Sequence, residues 1–190
     1  MTTAKSKTKI ITADIALIAM FTALTAVCSW VSIPVGEVPV TLQTFAIFMT
    51  VGVLGTKRSI ISILVYILLG AAGAPVFAGF KGGIGALFGT TGGYITGFIF
   101  SVALAGVIID KFGSKLYVKI AAMIAGLIVC YAFGTAWFII FYTRSVGAIG
   151  IGAALSMCVV PFIIPDVLKI VAAACLSTSI KKALDKTSRN

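Results

Sequence analysis

The chain has no histidine, and only five of its 190 residues are acidic: Asp14, Glu37, Asp110, Asp166 and Asp185. The first absence removes the commonest general base and metal ligand. The second leaves acid–base catalysis few actors. The four cysteines, Cys28, Cys130, Cys158 and Cys175, sit in apolar segments at no metal-ligand spacing and read as small packing residues. No phosphate-binding G-x-x-x-x-G-K-S/T loop, H-E-x-x-H helix or G-x-S-x-G elbow is present. An enzyme is therefore not expected, and no cofactor or metal is implied.

Charge is scarce altogether. Charged residues make up 11% and hydrophobic residues 60%, with a mean hydropathy of +1.17. A soluble domain is usually about 45–50% apolar and about 25% charged. The composition is that of an integral membrane protein. A spanning helix needs about 20 apolar residues, so the length allows five or six spans and one transmembrane domain over residues 1–190.

The net charge of +10 raises the question of nucleic acid. Its distribution answers it. Lys5, Lys7, Lys9, Lys57, Arg58, Lys111, Lys115, Lys119, Lys181, Lys182, Lys186 and Arg189 fall at one set of segment ends, whereas only Lys81, Arg144 and Lys169 fall at the other. That asymmetry follows the positive-inside rule and makes both termini cytoplasmic. The excess charge is topology; the partner it implies is the lipid bilayer. The opening lysines and apolar run lack a signal-peptide cleavage pattern and read as a retained helix.

Hydropathy divides the chain into six expected spans, about 10–31, 41–55, 59–72, 92–109, 116–142 and 166–179. The fold expected is an all-α compact bundle of six transmembrane helices. A short helix near the outer surface is expected over 147–160, broken by Pro161 and Pro165. Between the third and fourth spans lies an outer loop of unusual composition. Gly70 to Gly97 holds ten of the chain's twenty glycines, with Lys81 as its only charge. Irregular backbone at membrane depth is tolerated only where protein or a water-filled cavity surrounds it. This segment is thus expected to line or cover a binding site.

Polar residues are few enough to weigh individually. Asp166 and Lys169, three apart, share a helix face. They either cap the last span or form a charged pair that faces a cavity and holds a polar ligand group. Such residues are costly in lipid and seldom face it. Thr41, Gln43 and Thr44 make a second polar group, in VPVTLQTF at the outer end of span two. There Thr41 is either an N-cap or, with Gln43, a ligand contact. Thr90-Thr91-Gly92-Gly93-Tyr94 opens span four. Gly92 and Gly93 let a ligand approach free backbone N–H groups, and Tyr94 adds an aromatic wall. The same glycines also fit close helix packing through Gly89-x-x-x-Gly93-x-x-x-Gly97. Lys81 either meets a carboxylate or faces water. On span one, Ala16, Ala19, Ala23 and Ala26 make a smooth stripe. Ala19-x-x-x-Ala23 suits packing within the bundle and docking of a separate membrane subunit equally well.

Taken together, VPVTLQTF, the GAAGAPVFAGFKGGIGALFGTTGGYITGF block and PFIIPDVLKIVAA resemble the BioY family, the biotin-specific substrate-binding (S) components of energy-coupling factor transporters. The resemblance covers most of the chain. One departure is GTTGG where the family pattern has GPTGG. The resemblance implies a six-helix membrane protein of the prokaryotic cell membrane that binds biotin with high affinity in an outward pocket. Its implied partners are a transmembrane coupling subunit and two cytoplasmic ATPase subunits. Asp166, Lys169 and Gln43 would meet the ureido ring, Tyr94 and Phe80 the apolar body, and Lys81 or loop N–H groups the carboxylate. Ala19 and Ala23 would dock the partner. The alternatives are an S component for thiamine or riboflavin, or a stand-alone secondary transporter. The lack of internal repeats and of mid-span ionisable groups argues against the last.

Overall fold

The computed structural model describes residues 3–187, with side chains from Thr12 onward except at 185 and 187. Arg189 and the side chains of Lys5, Lys7 and Lys9, part of the charge argument, lie outside it. Among the described residues the chain is helical apart from a two-stranded ribbon. The order is α1 (Thr3–Trp30), β1 (Ser32–Ile33), β2 (Val40–Thr41), α2 (Gln43–Leu54), α3 (Thr56–Ala71), α4 (Ile84–Leu87), α5 (Gly92–Phe112), α6 (Leu116–Ser145), α7 (Ile151–Cys158) and α8 (Val160–Thr187). The strands pair antiparallel, Ser32 opposite Thr41 and Ile33 opposite Val40.

The all-α membrane character holds, but the expectation of six spans does not. Among the described residues four helical stretches are long and apolar enough to cross a bilayer: Thr12–Trp30, Gly92–Phe112, Leu116–Ser145 and Val160–Leu184. The expected spans 41–55 and 59–72 are α2, with 12 residues, and α3, with 16. At 1.5 Å per residue these reach about 18 and about 24 Å, short of about 30 Å of hydrocarbon. Gly55 stops α2 with φ +76, and the chain turns directly into α3. α2 has no need to match the bilayer because protein surrounds it. Ala46 to Leu54 are all buried, and Ile47, Phe48 and Val51 form the centre of the core with Val102 of α5, Met123 of α6 and Ile170 of α8.

The last helix also differs from expectation. α8 begins at Val160 and runs through Pro165, so Pro161 and Pro165 do not separate it from the short helix α7. The break falls at Val159 instead. Pro161 falls in the first turn, where its missing N–H has no intrahelical partner to lose, whereas Pro165 lies a turn further in and gives up one helical hydrogen bond. Asp166 therefore lies in the second turn and caps nothing.

At the lysine-rich end, side-chain contacts join the helices. Arg58 pairs with Asp14 at 2.9 Å, and Thr56 Oγ1 donates to Asp110 Oδ2 at 2.6 Å. Lys119, counted in the sequence as an end marker, is 1% exposed, and its Nζ donates to Ser177 and Thr178 of α8.

The glycine-rich segment at the opposite end is folded rather than slack. It holds a 3-10 turn at Ala78–Phe80 and the single turn α4. Phe77 N donates to Lys81 O at 2.9 Å, and Gly83 N to Gly70 O at 2.7 Å. The buried Phe77 ring sits where a Cβ on Gly70 would stand. Gly93 meets the Cβ of Trp137 on α6 in the same way, and Gly92 meets the Leu87 carbonyl. Backbone cannot swing aside as a flexible side chain can. Gly92→Ala should therefore lower the apparent melting temperature in detergent, by the about 1–3 kcal/mol typical of overpacking. Gly85→Ala, with nothing within 4 Å of the added atom, should leave it unchanged. Equal melting temperatures for the two variants would contradict this packing.

Candidate binding cavity

The cavity lies at the loop end, where α2, α5, α6, α7 and α8 meet under the two loops. Its empty space, mouth included, is about 690 Å³. Its walls are mostly apolar, with Ile95 and Phe98 of α5, Phe162 of α8, and Phe77 and Val38 from the loops. Thr90 Oγ1 reaches Glu37 O at 3.4 Å, tying the glycine-rich loop to the ribbon loop.

The polar lining converges on Asp166, which is 2% exposed. Its Oδ1 accepts from Lys169 Nζ and from Thr44 Oγ1, both at 2.8 Å, and its Oδ2 accepts from Tyr131 OH at 2.6 Å. Lys169 Nζ also donates to the Thr41 carbonyl at 2.6 Å. One carboxylate thus joins α2, α6 and α8, and its counter-ion holds the strand β2. A buried charge without such partners would be strongly unfavourable.

A second polar branch runs from Gln43, also buried. Its Nε2 donates to the Tyr66 hydroxyl at 2.6 Å, and its Oε1 accepts from Thr41 Oγ1 at 3.0 Å. Among the described residues one amide hydrogen of Gln43 and one N–H of Lys169 stay uncommitted. The site therefore offers both donors and acceptors within an apolar chamber.

The structure brings six of the sequence-derived candidates to the cavity: Asp166, Lys169, Gln43, Thr41, Lys81 and Tyr94. Tyr94 OH lies 3.3 Å from both Thr135 Oγ1 and the Cys158 carbonyl. Lys81 is exposed at the mouth. Phe80 is not among the lining residues. It is 63% exposed and stacks on Trp30 at 5.1 Å between ring centroids. Gly92 and Gly93 also do not line the cavity; they seat α5 against α4 and α6. Thr44 and Tyr131 hold Asp166 directly. Sequence reasoning noted Thr44 as part of a polar group but passed over Tyr131. The signal available for Tyr131 was a phenol midway along an apolar helix, where an unpaired hydroxyl is disfavoured. Among the described residues no group of three or more His, Cys, Asp and Glu is placed to hold a metal ion.

These features define a class: a helical membrane protein built around an amphiphilic small-molecule chamber with an ion pair in its wall. The chain belongs to the BioY family, whose model matches residues 1–186. It is 42% identical over 163 residues to the biotin transporter BioY of Thermotoga maritima, covering 86% of this chain and 92% of that one. It is 38% identical over 168 residues to the probable biotin transporter BioY of Pyrococcus horikoshii, covering 88% and 96%. The fold matches the crystal structure of the S-component for biotin from an ECF-type ABC transporter, with a TM-score of 0.82 at 25% identity, over 96% of this chain and 95% of that one.

The ion pair makes a direct prediction about stability. Lys169→Met leaves the Asp166 charge buried and uncompensated, a loss of about 3–5 kcal/mol. Asp166→Asn together with Lys169→Met removes both charges and should recover much of that. Thermal unfolding followed by tryptophan fluorescence compares them. A double variant no more stable than Lys169→Met would contradict the pairing.

Proposed function

We propose that this chain is the biotin-binding S component of an energy-coupling factor transporter, a transport subunit and not an enzyme. It captures biotin in the cavity at the loop end. The observation that carries the reading is the Asp166–Lys169 pair facing an apolar chamber, in a member of a family whose named relatives are biotin transporters. Ionisable residues at membrane depth mark ligand sites by default.

Biotin has a cyclic urea with two N–H donors and a carbonyl, an apolar ring and chain, and a carboxylate. In the proposed pose Asp166 accepts from the urea, and Lys169 or Gln43 donates to its carbonyl. Tyr94, Phe98 and Phe162 flank the apolar body, and Lys81 at the mouth meets the carboxylate. Thr41 positions Lys169. Phe80, Gly92 and Gly93 act at one remove, by shaping the loop that covers the site.

The chain is read as one transmembrane unit over residues 1–190 in a prokaryotic cell membrane. The lysine distribution supports a cytoplasmic side for both termini and an outer side for the cavity. Family membership supports a general assembly with a transmembrane coupling subunit and ATPase subunits; two cytoplasmic ATPases are our finer proposal. Ala16, Ala19 and Ala23 are exposed along α1, whereas Ala26 is buried. That smooth face is the proposed dock for the coupling subunit. ATP use in the partners would reorient the whole subunit and release biotin inside. The loop end suits passage through lipid, since Ile33, Phe80, Ile84, Phe88 and Ile151 are exposed there.

Two experiments test this. Isothermal titration of the detergent-purified chain should give one-to-one binding of biotin and none of thiamine or riboflavin. Asp166→Ala should weaken binding by about 2–5 kcal/mol, as expected for truncating one partner of a buried pair. No biotin binding by well-folded protein would discard the assignment. Separately, Ala23→Trp should abolish co-purification of the coupling module while biotin affinity stays unchanged. Retained co-purification would move the dock elsewhere.

A further inference from the structure

Most of the Asp166 carboxylate is occupied before any ligand arrives. An ionised carboxylate has about four acceptor positions, roughly two per oxygen. Oδ1 already takes Lys169 and Thr44, while Oδ2 takes Tyr131 alone. One acceptor position remains, and it lies on Oδ2. The Tyr131 oxygen, 2.6 Å away, has given its hydrogen to Asp166 and makes no other hydrogen bond among the described residues. Its own lone pairs are therefore free. Asp166 and Tyr131 both line the cavity, from α8 and α6 respectively.

We infer that Tyr131 is a specificity-determining residue that both positions Asp166 and meets the ligand. Its hydroxyl fixes Oδ2 of Asp166, so that Oδ2 and the phenol oxygen together form one paired acceptor that reads a single N–H of the ligand's polar head. Lys169 and Thr44 fix the other carboxylate oxygen and prevent rotation about the carboxylate axis. With the phenol hydroxyl removed, Oδ2 would have two open positions and one fewer restraint. It would then accept donors from a wider range of directions, and water would satisfy what the ligand does not. The inference rests on reading the cavity as the biotin site. It adds a residue on α6, a helix from which the sequence offered no candidate.

The ligand class follows from this chemistry. The paired acceptor favours a head group presenting an N–H. It rejects the same head alkylated at that nitrogen, because the ligand then leaves buried acceptors unpaired.

The test uses the full-length chain in detergent, with biotin and its two mono-N-methylated urea derivatives as titrants. The wild type should bind biotin and discriminate against at least one methylated derivative. Tyr131→Phe keeps the ring and its packing. It should weaken biotin about tenfold or more, the size of one hydrogen bond to a charged group. It should also narrow the ratio between biotin and the rejected derivative. In an Asp166→Asn background the same Tyr131→Phe change should have a much smaller effect, because coupled residues are not additive. Unchanged biotin binding by Tyr131→Phe overturns the proposal. So does a weakening that is equal for all three titrants, which is the mark of a packing role. If Tyr131→Phe does not fold, a fluorinated tyrosine placed at position 131 carries the test. Its fluorine NMR signal must shift when biotin binds, and a fixed signal overturns the proposal. Biotin binding by the wild type with an unaffected Tyr131→Phe removes Tyr131 alone. No biotin binding by folded wild type removes the biotin reading and the Tyr131 assignment with it.

Discussion

A carboxylate 2% exposed within a helix long and apolar enough to cross a bilayer sets the terms for the rest of this molecule. Asp166 is tolerable there only because Lys169, Thr44 and Tyr131 all reach it within 2.8 Å. Those partners come from α2, α6 and α8, so each of these helices has a fixed height and rotation relative to the others. Through Lys169 and the Thr41 carbonyl, the same set of contacts holds the ribbon loop. The charge is thus a fold determinant and, in the function proposed above, a binding group at once. A ligand that engages it must replace or extend contacts the fold already uses.

The short α2 is what leaves room for this arrangement. It stops at Gly55 after 12 residues and is walled by other helices. Its polar start, Gln43 and Thr44, is consequently held inside the bundle, where both side chains line the chamber. The glycine-rich loop completes the roof. Its glycines serve close approach: Phe77 lies over Gly70, and Leu87 lies over Gly92. Gly79 and Phe80 take left-handed backbone, with φ of +68 and +58. Phe80 is strained there, and its ring faces outward against Trp30.

How much of this could be read from sequence depends on which residues are considered. Asp166 and Lys169 were legible because charge inside an apolar run is rare and demands a reason. The glycine-rich segment was legible as a cavity cover because so many glycines beside so little charge suit neither lipid nor water. The number of spans was not legible. Hydropathy cannot separate a helix surrounded by lipid from one surrounded by protein, and α2 is the second kind. Pro165 pointed to a helix start at 166, yet α8 begins at Val160 and carries Pro165 inside it, at the loss of one helical hydrogen bond. Gly92 and Gly93 could serve ligand approach or packing, and only the positions of Leu87 and Trp137 decide for packing. Tyr131 was missed because an aromatic residue in an apolar helix is normally core or interface. Its role appears only when α6 is set beside α8.

In the proposed function the polar head of biotin sits on the Asp166–Lys169 pair. A crystal structure of the chain with biotin bound tests it most directly. The urea ring should lie within hydrogen-bonding distance of the Asp166 carboxylate or the Lys169 ammonium, with the apolar chain along Phe98 and Phe162. Biotin bound with its urea ring away from an unaltered Asp166–Lys169 pair would contradict it.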